Sequence, residues 1–292
     1  MVSSNPGLPW TIFKVLSWTE SYFDSLDIEG SRLAAEILLG HALGVKRLDL
    51  YLQYDRPLQE KELTLYKSLI RRRVNREPVA YITGSKGFFL SELDVTTDVL
   101  IPRPDTEVLV ETALDLLKTA PGQTVLELGV GSGAVILSLA RADLGCSFFG
   151  VDLSEGAVAV AAANGEKIRN RDPVALTVGS WLTCFRQGDI FDLIVSNPPY
   201  IPSREIDTLE PEIRSFEPRM ALDGGNDGLD SLQKIIDNAH LHLRSGGVLL
   251  VETGCDQKEQ VVHIAAMTGR YHPLVYIRDY GGHDRVAKLV KK

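Results

Sequence analysis

The stretch Thr124-Val-Leu-Glu-Leu128-Gly129-Val-Gly-Ser-Gly133-Ala134-Val-Ile-Leu-Ser-Leu-Ala140 decides the fold. Its first five residues form the apolar run of a buried strand, and Ala134 onward opens a helix. Between them stand Gly129, Gly131 and Gly133. Glycines let the chain turn sharply and let a ligand approach bare backbone beside a helix N-terminus. The next β-rich run, Ser147-Phe-Phe-Gly-Val151, ends at Asp152. That carboxylate lies about twenty residues beyond the glycine loop, where it can accept hydrogen bonds from both hydroxyls of an adenosine ribose.

Working outward, β-rich runs are predicted at 124–128, 147–151, 175–178, 191–196, 247–252, 272–278 and 285–290. Helical patterns fall near 134–141, 154–169, 228–243 and 257–268. This alternation predicts an α/β fold, a doubly wound, mostly parallel seven-stranded sheet of Rossmann-like type. Residues 1–77 carry helical patterns only. One predicted helix, Ser31 to Gly44, places Leu33, Ile37, Leu38 and Leu43 near one face. Another runs from about Leu58 to Asn75 and ends in Arg71-Arg-Arg73, a basic last turn that suits the helix dipole and reads as solvated. Tyr81-Ile-Thr83, Phe88-Phe-Leu90 and Leu93–Thr97 read as short strands, so 78–100 is expected to be a β-hairpin linker and 101–292 the larger domain.

Composition narrows the classes. The chain has 292 residues and a formal net charge of −8, the wrong sign for a non-specific nucleic-acid binder. Cys146, Cys184 and Cys255 lack metal-ligand or disulfide-framework spacing and read as reduced thiols of a cytoplasmic protein. No metal is expected. No signal-peptide pattern and no run of the ~20 apolar residues of a membrane span is apparent.

Gly129-x-Gly131-x-x-Ala134 is compatible with a nicotinamide dinucleotide. Glu127, two residues before the loop, suits a cationic ligand and opposes a pyrophosphate, which favours the sulfonium of S-adenosyl-L-methionine. Downstream, Phe191-Asp-Leu-Ile-Val-Ser196 runs straight into Asn197-Pro-Pro-Tyr200. Two prolines stop helix and sheet and remove two backbone donors. They sit at the carboxyl end of a predicted central strand, where ligands bind in open α/β sheets. Asn197 Oδ1 and the Pro198 carbonyl are two acceptors able to hold both N–H bonds of a planar NH₂ group and aim its nitrogen, and Tyr200 offers a flat stacking surface. Asn197, Pro198 and Tyr200 are therefore the candidate catalytic residues.

On these motifs the chain resembles the HemK/PrmC family of protein-glutamine methyltransferases. The likeness extends through Tyr81-Ile-Thr-Gly84, Ile101-Pro-Arg-Pro-Asp-Thr-Glu107, Glu217-Pro-Arg-Met-Ala-Leu-Asp-Gly-Gly225, Asp227-Gly-Leu-Asp230 and Arg278-Asp-Tyr-Gly-Gly282. The resemblance implies transfer of a methyl group from S-adenosyl-L-methionine, leaving S-adenosyl-L-homocysteine. The acceptor would be the side-chain amide of the glutamine in the Gly-Gly-Gln loop of class I peptide chain release factors, with the helical N-terminal domain recognising that substrate. It further implies that Gly129, Val130, Gly131, Ser132, Gly133, Asp152, Trp181 and Asn197 hold the cofactor, with Trp181 against the adenine. Asn197, Pro198, Pro199 and Tyr200 would frame the glutamine, and Phe88 and Glu107 match positions near the cofactor. Three positions depart from the family pattern: Val130 in the glycine loop, where the backbone would make the contacts, Gly87 before Phe88, and His283, which does not touch the proposed chemistry. Asn-Pro-Pro-Tyr also serves methyltransferases acting on nucleic-acid exocyclic amines (adenine N6 or guanine N2). That alternative would call for a basic groove or an added reading module, so no direct nucleic-acid partner and no membrane are expected.

Overall fold

A computed structural model describes residues 9–168 and 173–292. The chain start and the predicted helix end at 169 lie outside the described residues. The chain divides into two compact units, one running through Gly84 and including Pro211–Phe216, the other comprising Ser85–Glu210 and Glu217–Lys292.

The first unit is helical: α1 (Ile12–Asp24), α2 (Ser31–Leu43), α3 (Arg47–Leu52), α4 (Glu60–Val74) and α5 (Val79–Thr83). Thr11 caps α1, its Oγ1 accepting from Lys14 N at 3.4 Å. Gly44, left-handed at φ 65°, ends α2. The buried stripe of α2 runs through Ala34, Ala35, Leu38 and Leu39, and Leu33 is exposed. Alanines let the neighbouring helices α1 and α4 approach closely, so the core uses a stripe offset from the bulkier Leu33. Tyr81-Ile-Thr83, which reads as a strand, is part of α5, with Pro78 at its start and left-handed Gly84 at its end. The basic end of α4 is ion-paired rather than simply solvated. Arg73 is buried and meets Glu212 at 2.9 Å, and Arg72 is bonded to Glu77.

The second unit opens with the hairpin β1 (Ser85–Phe88) and β2 (Ser91–Asp94). The predicted linker 78–100 is thus divided, α5 lying in the first unit and the hairpin in the second. After α6 (Glu107–Thr119) come β3 (Thr124–Leu128), α7 (Ala134–Ala140), β4 (Ser147–Asp152), α8 (Glu155–Ile168), β5 (Val174–Val178) and β6 (Phe191–Ser196). A short helix α9 (Pro211–Phe216) belongs to the first unit. Then follow α10 (Asp230–Ala239), β7 (Leu243–Glu252), α11 (Lys258–Thr268), β8 (Val275–Arg278) and β9 (Asp284–Val290). The seven-stranded sheet has the order β5-β4-β3-β6-β7-β9-β8, with only β9 running antiparallel to its neighbours.

Side chains alternate across the sheet as the strand period requires. Val125, Leu193, Val195 and Leu250 join α6 and α7 on one face. Leu126, Leu128, Ile194, Leu249 and Val251 join α10 and α11 on the other. Burial on both faces explains why β3 and β6 are mostly apolar rather than alternating, Glu127 and Asp192 being the charged residues within them. The strand order reverses between β3 and β6, which pair in parallel with Leu128 opposite Ser196. The loops after both strands therefore leave the sheet side by side, at the switch point where open α/β sheets bind ligands.

Candidate active site

Gly129 and Val130 donate their N–H groups to Val151 O at 2.8 and 3.2 Å, which folds the glycine loop over the end of β4. Gly133 closes the loop at φ 82°, and a Cβ there would stand 2.7 Å from Leu137 Cδ1. That position needs glycine for the turn into α7. Asp152 clamps the loop from the neighbouring strand: Oδ2 accepts from Gly131 N at 2.8 Å and Oδ1 from Ser154 N at 2.9 Å.

A cavity of about 460 Å³ opens at the switch point, within the size range of small-molecule sites. Its wall includes Gly129, Val130, Gly131, Ser132, Asp152, Trp181, Asn197 and Pro199. Gly133, Pro198 and Tyr200 lie outside that wall. Gly133 is spent on the helix turn, the Pro198 ring is buried, and Tyr200 packs toward the α10–α11 side of the core. Phe88 is a core residue of the hairpin, and Glu107 Oε1 accepts from Phe89 N at 3.0 Å, so neither reaches the cavity. Trp181 is held at φ 50°, a conformation costly for a bulky side chain. Its Cζ3 would lie 3.7 Å from a Cβ at Gly129, so the indole leans over the bare backbone of the glycine loop.

The wall carries four acids, Asp98, Glu127, Asp152 and Asp223, and one base, Arg103. Arg103 is already paired with the buried Glu217, whose other oxygen accepts from Ile101 N at 3.3 Å. Glu127 accepts from Ile136 N at 2.9 Å, and burial followed by the nearby Asp152 charge pushes its carboxyl well above the usual range. A cationic ligand would relieve that penalty, whereas a pyrophosphate would find no free cation in the wall. The donor set fits a sulfonium cofactor and not a nicotinamide dinucleotide.

At the end of β6, Asn197 Nδ2 donates to Thr106 Oγ1 at 3.0 Å. The amide's Oδ1 makes no hydrogen bond among the described residues, and neither does the Pro198 carbonyl. The loop that follows is stapled to 222–228: Ile201 N donates to Leu222 O at 3.0 Å, and Gln257 Nε2 bridges the two by donating to Tyr200 O at 2.9 Å and Gly228 O at 3.2 Å.

This geometry agrees with what the chain resembles. Residues 14–84 match the PrmC N-terminal domain and residues 119–283 a methyltransferase domain. A protein of Geobacter sulfurreducens named release factor glutamine methyltransferase is 45% identical over 95% of both chains. One of the same name from Rhodopirellula baltica is 35% identical over the full length of both. The chain belongs to the release factor glutamine methyltransferase family. A methyltransferase from Pyrococcus furiosus, 22% identical with a TM-score of 0.50 over 68% of this chain and 88% of that one, shares the fold.

Within this family frame the cavity also contains residues that the motifs did not single out. Asp98–Leu100 and Pro102 form one side of it, and Pro218, Met220, Ala221 and Asp223 another. Asp98–Leu100 precede the motif Ile101–Glu107, while Pro102 falls inside it and Pro218, Met220, Ala221 and Asp223 fall inside Glu217–Gly225, but no local chemical pattern gave these residues a role. Thr106, which holds Asn197, belongs to the same unrecognised group.

Among the described residues there is no cluster able to hold a metal ion, and no helix is long and apolar enough to cross a membrane.

Proposed function

We propose that this chain transfers the methyl group of S-adenosyl-L-methionine to the side-chain amide nitrogen of the glutamine in the Gly-Gly-Gln loop of class I peptide chain release factors. The observation that carries this reading is the Asn197 amide, tied through Nδ2 to Thr106 and left with Oδ1 to accept, beside the Pro198 carbonyl and an acidic cofactor-sized cavity. When bound, the sulfonium supplies an electrophilic methyl carbon. Asn197 Oδ1 and Pro198 O accept the two N–H bonds of the glutamine amide, hold its plane and turn its nitrogen toward that carbon. An amide nitrogen is a poor nucleophile because its lone pair is delocalised, so alignment and a preorganised polar site carry most of the rate. The nitrogen gains the methyl, the sulfur keeps the bonding pair, and one amide proton leaves. Asp152 is assigned to the ribose, the glycine loop to the cofactor backbone side, and Trp181 to the adenine face.

Mass spectrometry of a release factor after incubation with enzyme and cofactor tests the reading. A single methyl gain on the Gly-Gly-Gln peptide is the expected result. Methyl incorporation into DNA or RNA instead, with the release factor untouched, would overturn it. Trp181→Ala should weaken cofactor binding about tenfold by calorimetry, the size of one lost aromatic stacking contact. Undiminished affinity would remove Trp181 from the adenine site.

The helical unit is assigned to grip the protein substrate. Its α1 exposes Phe13, and Trp18 stacks on Tyr22 at 5.0 Å with both rings over a third exposed. Such rings are typical interface anchors. Replacing Trp18 and Tyr22 together by alanine should raise KM for intact release factor about tenfold while leaving KM for a short Gly-Gly-Gln peptide unchanged. An equal rise for both substrates would refute this assignment.

A further inference from the structure

Pro198 and Pro199 have no backbone N–H, so no hydrogen bond donated from within the pair can fix where the Pro198 carbonyl stands. Its place is set from the two flanks. On one side Ser196 is held in β6, its Oγ donating to Leu128 O at 2.7 Å. On the other side the chain passes through Tyr200, which is gripped at both ends by the end of β7 and the turn after it. The Tyr200 hydroxyl donates to Oε1 of the buried Glu252 at 3.3 Å. The Tyr200 carbonyl accepts from Gln257 Nε2 at 2.9 Å.

Gln257 is itself buried, immediately before α11. The same Nε2 donates to Gly228 O at 3.2 Å, and Oε1 accepts from Gly254 N at 2.9 Å. Both protons of the NH₂ group are therefore committed to carbonyls, and the Oε1 bond fixes which way the amide faces. Gly228 completes the clasp. It is left-handed at φ 78°, and a Cβ there would collide with Tyr200 O and stand 2.7 Å from Gln257 Nε2. One side-chain amide thus joins the end of Asn197-Pro-Pro-Tyr200 to Asp227-Gly-Leu-Asp230, two motifs well apart in the sequence.

We propose that Gln257 is a positioning residue for methyl transfer, clasping Tyr200 O so that the Pro198 carbonyl stands where it accepts the second N–H of the glutamine amide. Only Pro199 separates the two carbonyl-bearing residues, and its ring locks φ. A shift of Tyr200 is therefore passed along to Pro198 rather than absorbed between them. Gln257 is not part of the cavity wall, so it acts through the loop and not on the cofactor. Tyr200, packed toward the α10–α11 side of the core, serves as the anchor of the acceptor loop. This inference rests on the methyl-transfer reading above and adds the residue that places its second acceptor.

The test uses Gln257→Met, close in length but without a donor, and Gly228→Ala, which presses on the same carbonyl from the other side. Gln257→Glu, which keeps an oxygen for Gly254 N and loses only the donors, repeats the test if Gln257→Met does not fold. Tyr271→Phe is the control, removing a buried hydrogen bond to Ile236 O, 2.8 Å long, that lies outside the cavity wall and the acceptor loop. In the full chain, Gln257→Met should lower kcat for release factor by about ten- to a hundredfold, the effect of misplacing an aligning group. KM for release factor and the affinity for S-adenosyl-L-homocysteine should stay within about threefold, the signature of a contact made in the transition state. Gly228→Ala should give the same pattern, while Tyr271→Phe should lower Tm and leave kcat unchanged. Adding Gln257→Met to Asn197→Ala should cost at most about threefold more, because one lost acceptor already frees the amide to rotate. Losses that multiply in the double variant, or a fall of kcat in Tyr271→Phe matching that in Gln257→Met, would overturn the proposal. A crystal structure of Gln257→Met gives a readout that needs no substrate: the Pro198 carbonyl is expected to move by about 1 Å, enough to cost that rate. If the wild type fails to methylate release factor, the substrate reading falls, while this displacement still decides the clasp. A Pro198 carbonyl left in place would refute it.

Discussion

Asn197→Ala is expected to lower the turnover of release factor methylation by about a hundredfold or more, the loss seen when one preorganised polar contact to a transition state is removed. About 2.7 kcal/mol of barrier corresponds to that factor. The expectation follows from what the side chain is held to do. Its Nδ2 is committed to Thr106, so Oδ1 is the atom offered to the substrate, and alanine removes it with no nearby group to take its place. The Pro198 carbonyl would then hold one N–H alone, leaving the amide free to rotate about that single bond. Cofactor affinity should change only a few-fold, because the glycine loop, Asp152 and Trp181 are untouched. Removing Asn197 also deprives the buried Thr106 Oγ1 of its donor, which costs about 1 kcal/mol of stability, so Tm must be measured beside kcat. Turnover near the wild-type rate in a folded variant would end the paired-acceptor mechanism.

The parts legible in the sequence were those whose signal is local. The run from Thr124 to Ala140 announces strand, glycine turn and helix within one window, and the structure has β3, the loop and α7 there. Asn197-Pro-Pro-Tyr200 likewise follows β6 directly. Where local preferences competed with tertiary context, the pattern misled. Tyr81-Ile-Thr83 has β-prone residues, yet Pro78 and Gly84 bracket a helical turn that buries Tyr81 and Ile82. Leu33 has the greater hydrophobicity, yet the close approach of α1 and α4 selects the alanine stripe of α2. The supporting chemistry of the site was beyond reach for a different reason. Thr106 meets Asn197 from 91 residues away, Tyr200 meets Glu252 from 52, and Arg103 meets Glu217 from 114. Each residue is unremarkable in its own neighbourhood, and only the tertiary fold gives it a partner.

Asp152→Ala is expected to produce the opposite kinetic signature, weakening cofactor binding by about ten- to a hundredfold while kcat at saturating cofactor stays near the wild-type value. The side chain works twice in the proposed complex. Its two oxygens accept from Gly131 N and Ser154 N, which fixes the glycine loop and the start of α8, and their remaining lone pairs face the ribose hydroxyls. Hydrogen bonds to a charged group are worth about 1.5–3 kcal/mol each, so losing one such contact to the ligand already gives the lower end of the expected range. The rest comes from a loop no longer held in its binding shape. Asp152→Asn separates the two contributions. One carbonyl oxygen remains to accept from the loop or from the ribose but not from all its former donors, so affinity should fall between wild type and alanine. The division between Asp152 on β4 and Asn197 after β6 follows the sheet order: binding on the β3–β4 side of the switch point, methyl acceptance on the β6–β7 side. Calorimetry giving wild-type affinity for Asp152→Ala would mean that the adenosine lies elsewhere in the cavity, and the division would fail with it.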